Sequence, residues 1–295
     1  MNVRPVVFFG SYRLSSFKLG GLYPVEALRR MGLNARTGEK VPAASLRDAI
    51  LVYVKERIPA DLHSLKVLGH RIVIDIRDNP INPDGALNPE FVGRDLADLL
   101  IFPNRALRDA FVAIRPTGSR CKVLYGFADP EITLSLERHG IHNTGELRAC
   151  YFGFPDNLDA VLLASARGIV PIEQIPLTDA DFRRHLPRLG RYNLHVDLRP
   201  RVADTLYKPL TKVLVAAECR SNIIIERSPR ALELLPADYP FLVDGNDAAA
   251  AFKRARALFG TPAWDRSLAV MERIRQEYSF EQHMRELLSI LGRFS

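Results

Sequence analysis

Cysteine is scarce in this chain: 295 residues hold three, Cys121, Cys150 and Cys219. They are too few and too scattered for a disulfide framework, and no two have the C-x-x-C spacing of a zinc or redox site. All three are expected to be reduced and buried. Long apolar runs are also missing. The N-terminal run covers residues 5–9 and stops at Gly10-Ser11, too short for a signal h-region or a membrane span, so the chain reads as cytoplasmic. There are no internal repeats and no low-complexity tracts. Neither G-x-G-x-x-G nor G-x-x-x-x-G-K-[ST] occurs, which leaves a dinucleotide fingerprint or a P-loop without support.

What is present is an ordinary globular composition, 47% apolar and 25% charged. The length suits two hydrophobic cores of about 140 residues each. A formal charge of +7 implies attraction to something anionic: a nucleoside diphosphate, a lipid phosphate, an anionic membrane surface or nucleic acid. Charge alone does not choose among them. The densest basic cluster, Arg183-Arg184-His185 with Arg188 and Arg191, reads first as the solvated face of a helix and second as an anionic-surface patch.

Short apolar runs rich in Val and Ile alternate with helix-like segments along the whole chain, the pattern of βαβ units and a mainly parallel sheet. Strands are expected at residues 6–9, 49–54, 71–76, 99–102 and 122–125, with a weaker one at 34–36; helices at 23–31, 60–68, 89–97 and 105–114. The polar stretch 138–146 is taken as the divider between domains. Strands at 147–152, 192–197, 222–225 and 241–243 then alternate with helices at 158–166, 208–219, 229–235, 247–258 and 266–278, before an amphipathic helix at 280–291. The expected fold class is α/β: two Rossmann-like domains, residues 1–146 and 147–279, facing a cleft, with residues 280–295 crossing back to the first.

Four segments carry chemistry. The loop after the first strand offers Ser11, Arg13, Ser15, Ser16, Lys18 and the Gly20-Gly21 pair, hydroxyls, cations and open backbone that could hold sugar hydroxyls or phosphate. At the end of a later strand, Asp75 and Asp78 could accept a proton from an attacking hydroxyl. The run Lys208-Pro209-Leu210-Thr211-Lys212 opens a helix with two lysines, a hydroxyl and free amides, which is what a departing diphosphate needs. Upstream, His195 and Arg199 could share one strand edge. Two further motifs read as structural. Asp179-Ala180-Asp181 has a D-x-D form but leads into the basic helix as a cap, and His139 and His142 have no acidic or cysteine support, so no metal is expected.

Taken together, these segments resemble glycosyltransferases of the two-Rossmann (GT-B) type, near the bacterial family-4 group. Residues 11–21 look like their acceptor-side loop, residues 71–79 like their strand with a following Asp-Asn, and Gly126-Phe127-Ala128-Asp129 like their interdomain turn. Tyr151-Phe152-Gly153-Phe154 resembles the first strand and glycine loop of the donor domain, and residues 208–212 its diphosphate-facing helix start. The tail with Trp264, Tyr278-Ser279-Phe280 and the last helix resembles the segment that returns to the first domain. The resemblance implies a donor set of Gly153, His195, Arg199, Lys208, Thr211, Lys212 and Glu226, and an acceptor set of Ser11, Arg13, Ser15, Ser16, Lys18 and Gly20. It also implies Asp78, then Asp75, as base if the reaction inverts. There is one departure. Family-4 enzymes carry two glutamates eight positions apart around this helix, where Tyr207 and Val215 stand here; Glu226 and Glu233 are placed differently. Both stereochemical outcomes therefore stay open.

The function expected from the resemblance is metal-independent transfer of a sugar from a nucleoside-diphosphate carrier such as UDP to a hydroxyl of a saccharide or glycolipid, in surface polysaccharide or glycolipid synthesis. No cofactor is expected beyond that donor substrate, and contact with an anionic membrane surface is a further expectation. The alternatives are a DNA-modifying glycosyltransferase acting on a hydroxylated base and a non-catalytic nucleotide-sugar-binding protein, with an epimerase on the same fold behind them.

Overall fold

The computed structural model describes residues 4–12, 15–38, 45–55, 62–82, 86, 97–116, 120–142, 145–159, 164, 168–176, 179–199, 207–245 and 247–294. The chain divides into two compact units. Unit 1 comprises Met1–Gly126, Leu206–Pro209 and Glu281–Ser295; unit 2 comprises Phe127–Thr205 and Leu210–Phe280.

Unit 1 is built on a six-stranded parallel sheet: β1 (Val6–Phe9), β2 (Ala35–Thr37), β3 (Ile50–Val54), β4 (Arg71–Asp75), β5 (Leu99–Phe102) and β6 (Arg120–Val123). The order across the sheet is β2-β1-β3-β4-β5-β6. Strand β3 is buried along its whole length, as is β5, because helices cover both faces of such a sheet and leave no room for alternation. The helical elements are α1 (Ser15–Phe17), a π-helical turn at Lys18–Leu22, α2 (Tyr23–Arg30), α3 (Leu62–Val67) and α4 (Arg105–Ile114).

In unit 2, β7 (Ala149–Gly153), β8 (Ile172–Pro176), β9 (Leu194–Asp197), β10 (Asn222–Glu226) and β11 (Leu242–Val243) pair in the order β11-β10-β9-β7-β8, again all parallel. Its helices are α5 (Pro130–His139), α6 (Asp179–Leu189), α7 (Thr211–Glu218), α8 (Ala231–Leu234), α9 (Ala248–Leu258) and α10 (Pro262–Glu277). The final helix α11 (Phe280–Leu291) follows unit 2 in sequence, but residues from Glu281 onward pack in unit 1, where His283 Nδ1 lies 2.7 Å from the Tyr125 carbonyl oxygen.

Each sheet reverses its strand order once, at β1/β3 in unit 1 and at β7/β9 in unit 2. Ligands of open α/β sheets bind outside the carboxyl ends of the strands at such reversals. The fold thus points to the loop after Phe9 and to the loops after Gly153 and Asp197.

Three elements differ from the expectation. Helix α5 was not expected: Pro130 sits in its first turn, capped by Asp129 accepting from the Glu131 amide, and Ile132 and Leu136 join the unit 2 core with Cys150 and Val215. Strand β8 lies between Pro171 and the terminal Pro176 in a stretch read as proline-punctuated coil; proline is tolerated because this is the edge of the sheet. The helix expected from residue 208 starts at Thr211. Asn104 Nδ2 donates to the Tyr207 carbonyl at 2.9 Å, Tyr207 packs on the unit 1 core, and Pro209 disfavours helical backbone at Lys208. The helices expected at 89–97 and 158–166 fall mostly on residues outside those described.

The loop after β1 is organised by one ring. Phe17, 1% exposed, sits where a Cβ on Gly10 would lie 2.0 Å, and one on Gly21 2.4 Å, from its ring atoms. These glycines are explained by clearance for Phe17. Replacing Gly21 by Ala is expected to destabilise the chain by about 2 kcal/mol. Adding Phe17→Leu to Gly21→Ala should restore part of the loss, so the two changes will be non-additive in thermal denaturation.

Candidate functional site

At the carboxyl end of β9 stands Asp197, its side chain 1% exposed. Three cations surround it: Arg199 Nε at 2.9 Å, Lys212 Nζ at 3.5 Å and Arg230 Nη2 at 3.9 Å. They come from three places, the strand's own extension, the first turn of α7 and the residue preceding α8. Burial opposes ionisation of Asp197, but the fields of Arg199, Lys212 and Arg230 outweigh it and hold the carboxyl well below the usual carboxylate range. One buried anion thus gathers three cations. Glu226, closing β10, lies within the field of Arg230.

Lys212 is the least satisfied of the three. Its Nζ is buried without a hydrogen-bond partner and rests 3.5 Å from the centroid of the Tyr151 ring. Burial, aided by the Arg199 and Arg230 charges and opposed by Asp197, lowers its pKa to about 8. The Tyr151 hydroxyl donates to the Phe154 carbonyl at 2.8 Å, fixing the loop after β7. A Cβ on Gly153 would stand 3.0 Å from both Lys212 Nζ and the Tyr151 hydroxyl, so only glycine leaves the ammonium this clearance. His195, one residue pair back on β9, is 3% exposed with Nε2 unpartnered; burial, with the Lys212 charge, lowers its pKa to about 3. It is a neutral imidazole at pH 7.

Beside these groups α7 begins without a side-chain cap, its first helical bonds running from the Val213 and Leu214 amides to the Leu210 carbonyl. The amides of Thr211 and Lys212 precede those bonds, at the positive end of the helix. Three cations about one carboxylate and a helix start at a strand-order reversal are an arrangement suited to an anion.

In unit 1 the arrangement is neutral. Arg77 Nε bonds Asp75 Oδ2 at 2.7 Å, with both side chains largely buried; burial raises the Asp75 pKa against the pull of Arg77. Gly20 makes room for this pair, since a Cβ there would lie 2.7 Å from Arg77 Cζ. Asp78 is 2.9 Å from Lys55 Nζ and 41% exposed, which leaves it the more accessible of the two aspartates. Lys18 Nζ sits 5.4 Å from the Tyr23 ring centroid, Ser15 is exposed, Ser11 is half-buried, and Ser16 Oγ is buried without a hydrogen-bond partner. Arg13 lies outside the described residues.

Of the donor set, the structure brings Gly153, His195, Arg199 and Lys212 to one end of unit 2, with Thr211 beside them. Lys208 is counted with unit 1, in the segment Leu206–Pro209. Val215, where the resemblance wants a glutamate, is 4% exposed in the unit 2 core. Sequence reasoning missed Asp197, Tyr151 and Arg230. The Asp197-Leu198-Arg199 spacing at a strand end was a usable signal; nothing local marked Arg230.

His142 Nε2 lies 2.7 Å from the His139 carbonyl, Arg183 pairs with Glu131 at 2.9 Å, and Arg188 pairs with Glu173. Among the described residues no three His, Cys, Asp or Glu side chains converge, and the side chains of Asp179 and Asp181 lie outside the description.

Two expectations follow from the buried charges. Between pH 6.5 and about 3 the unfolded chain takes up a proton that folded His195 refuses, so stability falls with pH across that window; His195→Gln should flatten the thermal midpoint against pH there. Asp197→Asn leaves three buried cations without their anion and should cost roughly 3–5 kcal/mol, read by chemical denaturation.

No protein-family model matches the chain, and no curated protein matches it in sequence. Solved structures do match in fold over nearly its full length. Anabaena Alr3699/HepE, solved in complex with UDP and glucose, aligns with a TM-score of 0.65 at 12% identity, covering 98% of this chain and 100% of that one. A glycosyltransferase from Rickettsia africae aligns at 0.69 and 9% identity, covering 100% and 99%. A UDP-forming α,α-trehalose-phosphate synthase from Burkholderia vietnamiensis aligns at 0.68 and 13% identity, covering 99% and 98%. The chain has the fold of the GT-B glycosyltransferases, two Rossmann-like α/β domains, as its sequence led one to expect.

Proposed function

We propose that this chain is a glycosyltransferase that moves a sugar from a nucleoside-diphosphate carrier to a hydroxyl acceptor. The observation that carries the reading is the cluster of Arg199, Lys212 and Arg230 held on Asp197 at the start of α7. Three cations on one carboxylate suit the negative charge that a diphosphate brings. Neighbours of the same fold in complex with UDP, or named as UDP-forming, support UDP as the carrier.

In the reaction an acceptor hydroxyl oxygen forms a bond to the anomeric carbon while that carbon's bond to the distal phosphate oxygen breaks. The electron pair passes to the diphosphate, and the hydroxyl proton passes to a base. Charge therefore accumulates on the leaving group, where fixed cations stabilise the transition state more than the ground state. Side-chain cations and the amides of Thr211 and Lys212 perform this task. Neutral His195 lends a nitrogen without adding to the charge. For the acceptor we carry forward a saccharide or glycolipid hydroxyl, with the loop of Ser11, Ser15, Ser16, Lys18 and Gly20 on its side. Asp78 is the proton acceptor if the reaction inverts, because it is the more exposed of the two paired aspartates.

Lys212→Ala is expected to weaken UDP binding by about tenfold or more, the worth of one charge-assisted contact, measured by calorimetry. Because Lys212 loses its proton near pH 8 in the free protein, UDP affinity should fall as pH rises through 8, by up to about tenfold per pH unit. Lys212→Arg should bind UDP without that pH dependence. UDP binding that ignores both substitutions would refute the assignment. Transfer itself is tested by release of UDP from UDP-sugars over a panel of saccharide and glycolipid acceptors.

A further inference from the structure

The residue that follows β3 has an uncommon backbone. Lys55 comes directly after Val54 with φ +54°, in the left-handed region that glycine enters freely and a long side chain enters at a cost. At six other positive-φ positions among the described residues the chain places glycine, as at Gly32 and Gly69. Two further exceptions have local reasons. Asp48 is of a type that tolerates this conformation, and Arg220 closes α7, its amide donating to the Ala217 carbonyl at 3.0 Å. Lys55 ends no helix. It stands at the carboxyl end of β3, beside the β1/β3 reversal, and a lysine kept where glycine would fit better points to a task for its side chain.

The contacts show what that task is. The Lys55 amide donates to the Asp75 carbonyl at 3.2 Å, and Lys55 Nζ lies 2.9 Å from Asp78 Oδ2. One residue thus grips the segment Asp75-Ile76-Arg77-Asp78 at both of its ends, by backbone at the first and by side chain at the last. Gly20, on the loop after β1, packs on the same two strand ends: a Cβ there would lie 2.7 Å from both Val54 Cγ1 and Arg77 Cζ. The two aspartates have separate partners, Arg77 for Asp75 and Lys55 for Asp78.

We propose that Lys55 is a positioning residue for proton transfer: its left-handed backbone and its ammonium together hold the Asp78 carboxylate where the acceptor hydroxyl is deprotonated. This rests on the function proposed above in its inverting form, with Asp78 as the base. There the acceptor oxygen bonds to the anomeric carbon, its proton passes to an Asp78 oxygen, and the diphosphate departs with the electron pair of the broken bond. A carboxylate held in one orientation leaves less alignment to be achieved on the way to the transition state. Lys55 acts through Asp78 and touches neither substrate in this role.

The test follows release of UDP from UDP-glucose by the full chain, with the saccharide and glycolipid panel and with water as acceptors, for the wild type, Lys55→Gly, Lys55→Arg and Asp78→Asn. Thermal midpoints and UDP binding by calorimetry are read alongside. Glycine takes the left-handed conformation without cost, so Lys55→Gly should keep or raise the thermal midpoint. It should also leave UDP affinity and the KM for UDP-glucose within about twofold while kcat falls about tenfold, and Lys55→Arg, which keeps the cation, should restore at least about half of kcat. Unchanged kcat in Lys55→Gly would overturn the inference, as would an arginine variant no faster than the glycine one. A joint fall of thermal midpoint, UDP affinity and kcat in Lys55→Gly would mark a merely structural residue and overturn it too. If Asp78→Asn abolishes transfer while Lys55→Gly does not slow it, the base stands and the positioning role alone falls. If Asp78→Asn works at the wild-type rate, or the product keeps the donor's anomeric configuration, the inverting reading falls and takes this role with it. A wild type that releases no UDP overturns the two readings together.

Discussion

The buried cation cluster of unit 2 depends on one carboxylate. Without Asp197 the side chains of Arg199, Lys212 and Arg230 would repel one another in a space that water hardly enters, and a like-charge trio of that kind does not persist. With it, the three cations share one carboxylate at the mouth of α7. The site is therefore both a structural necessity and a standing imbalance, and a ligand of opposite charge is what relieves the imbalance.

Unit 1 holds a control for this argument. Both units place Asp-x-Arg at a strand end, Asp75-Ile76-Arg77 after β4 and Asp197-Leu198-Arg199 in β9, and in both the arginine Nε bonds its aspartate, at 2.7 and 2.9 Å. Both set a glycine against a cation, Gly20 against Arg77 and Gly153 against Lys212. The charge count separates them. One cation meets Asp75, whose pKa burial then raises; three meet Asp197, whose pKa they depress. The unit 1 pair is one cation on one anion, and the unit 2 cluster sets three cations on one.

The strands of both sheets were legible in the sequence because buried parallel strands write themselves as short Val/Ile runs, as in Ile50–Val54 and Asn222–Glu226. Edge and cap features were not. β8 hides behind prolines that only an edge position tolerates, and α5 has a divided apolar face that became visible once Cys150 and Val215 were seen to pack against it. Within the site, Lys212 and Gly153 could be read from their place at a helix start and a strand end. Arg230 could not, because it reaches Asp197 from a turn 33 residues along the chain, and such a meeting is decided by the β9–β10 pairing and not by any local pattern. Gly21, read as open backbone, also has a packing reason that the sequence did not show, clearance for the ring of Phe17.

The depressed pKa of Lys212 bears on how the cluster could work as a binding site and not merely as a buried ion group. Folding holds the ammonium where burial and two arginines disfavour its proton, with a π face and a long contact to Asp197 as its only compensation. An incoming dianion supplies the missing counter-charge and raises that pKa again, so part of the electrostatic strain accepted on folding is recovered on binding. In the proposed reaction this recovery would grow as charge moves onto the leaving diphosphate, so the cluster would be better matched to the end of bond cleavage than to its beginning, which is the direction catalysis requires.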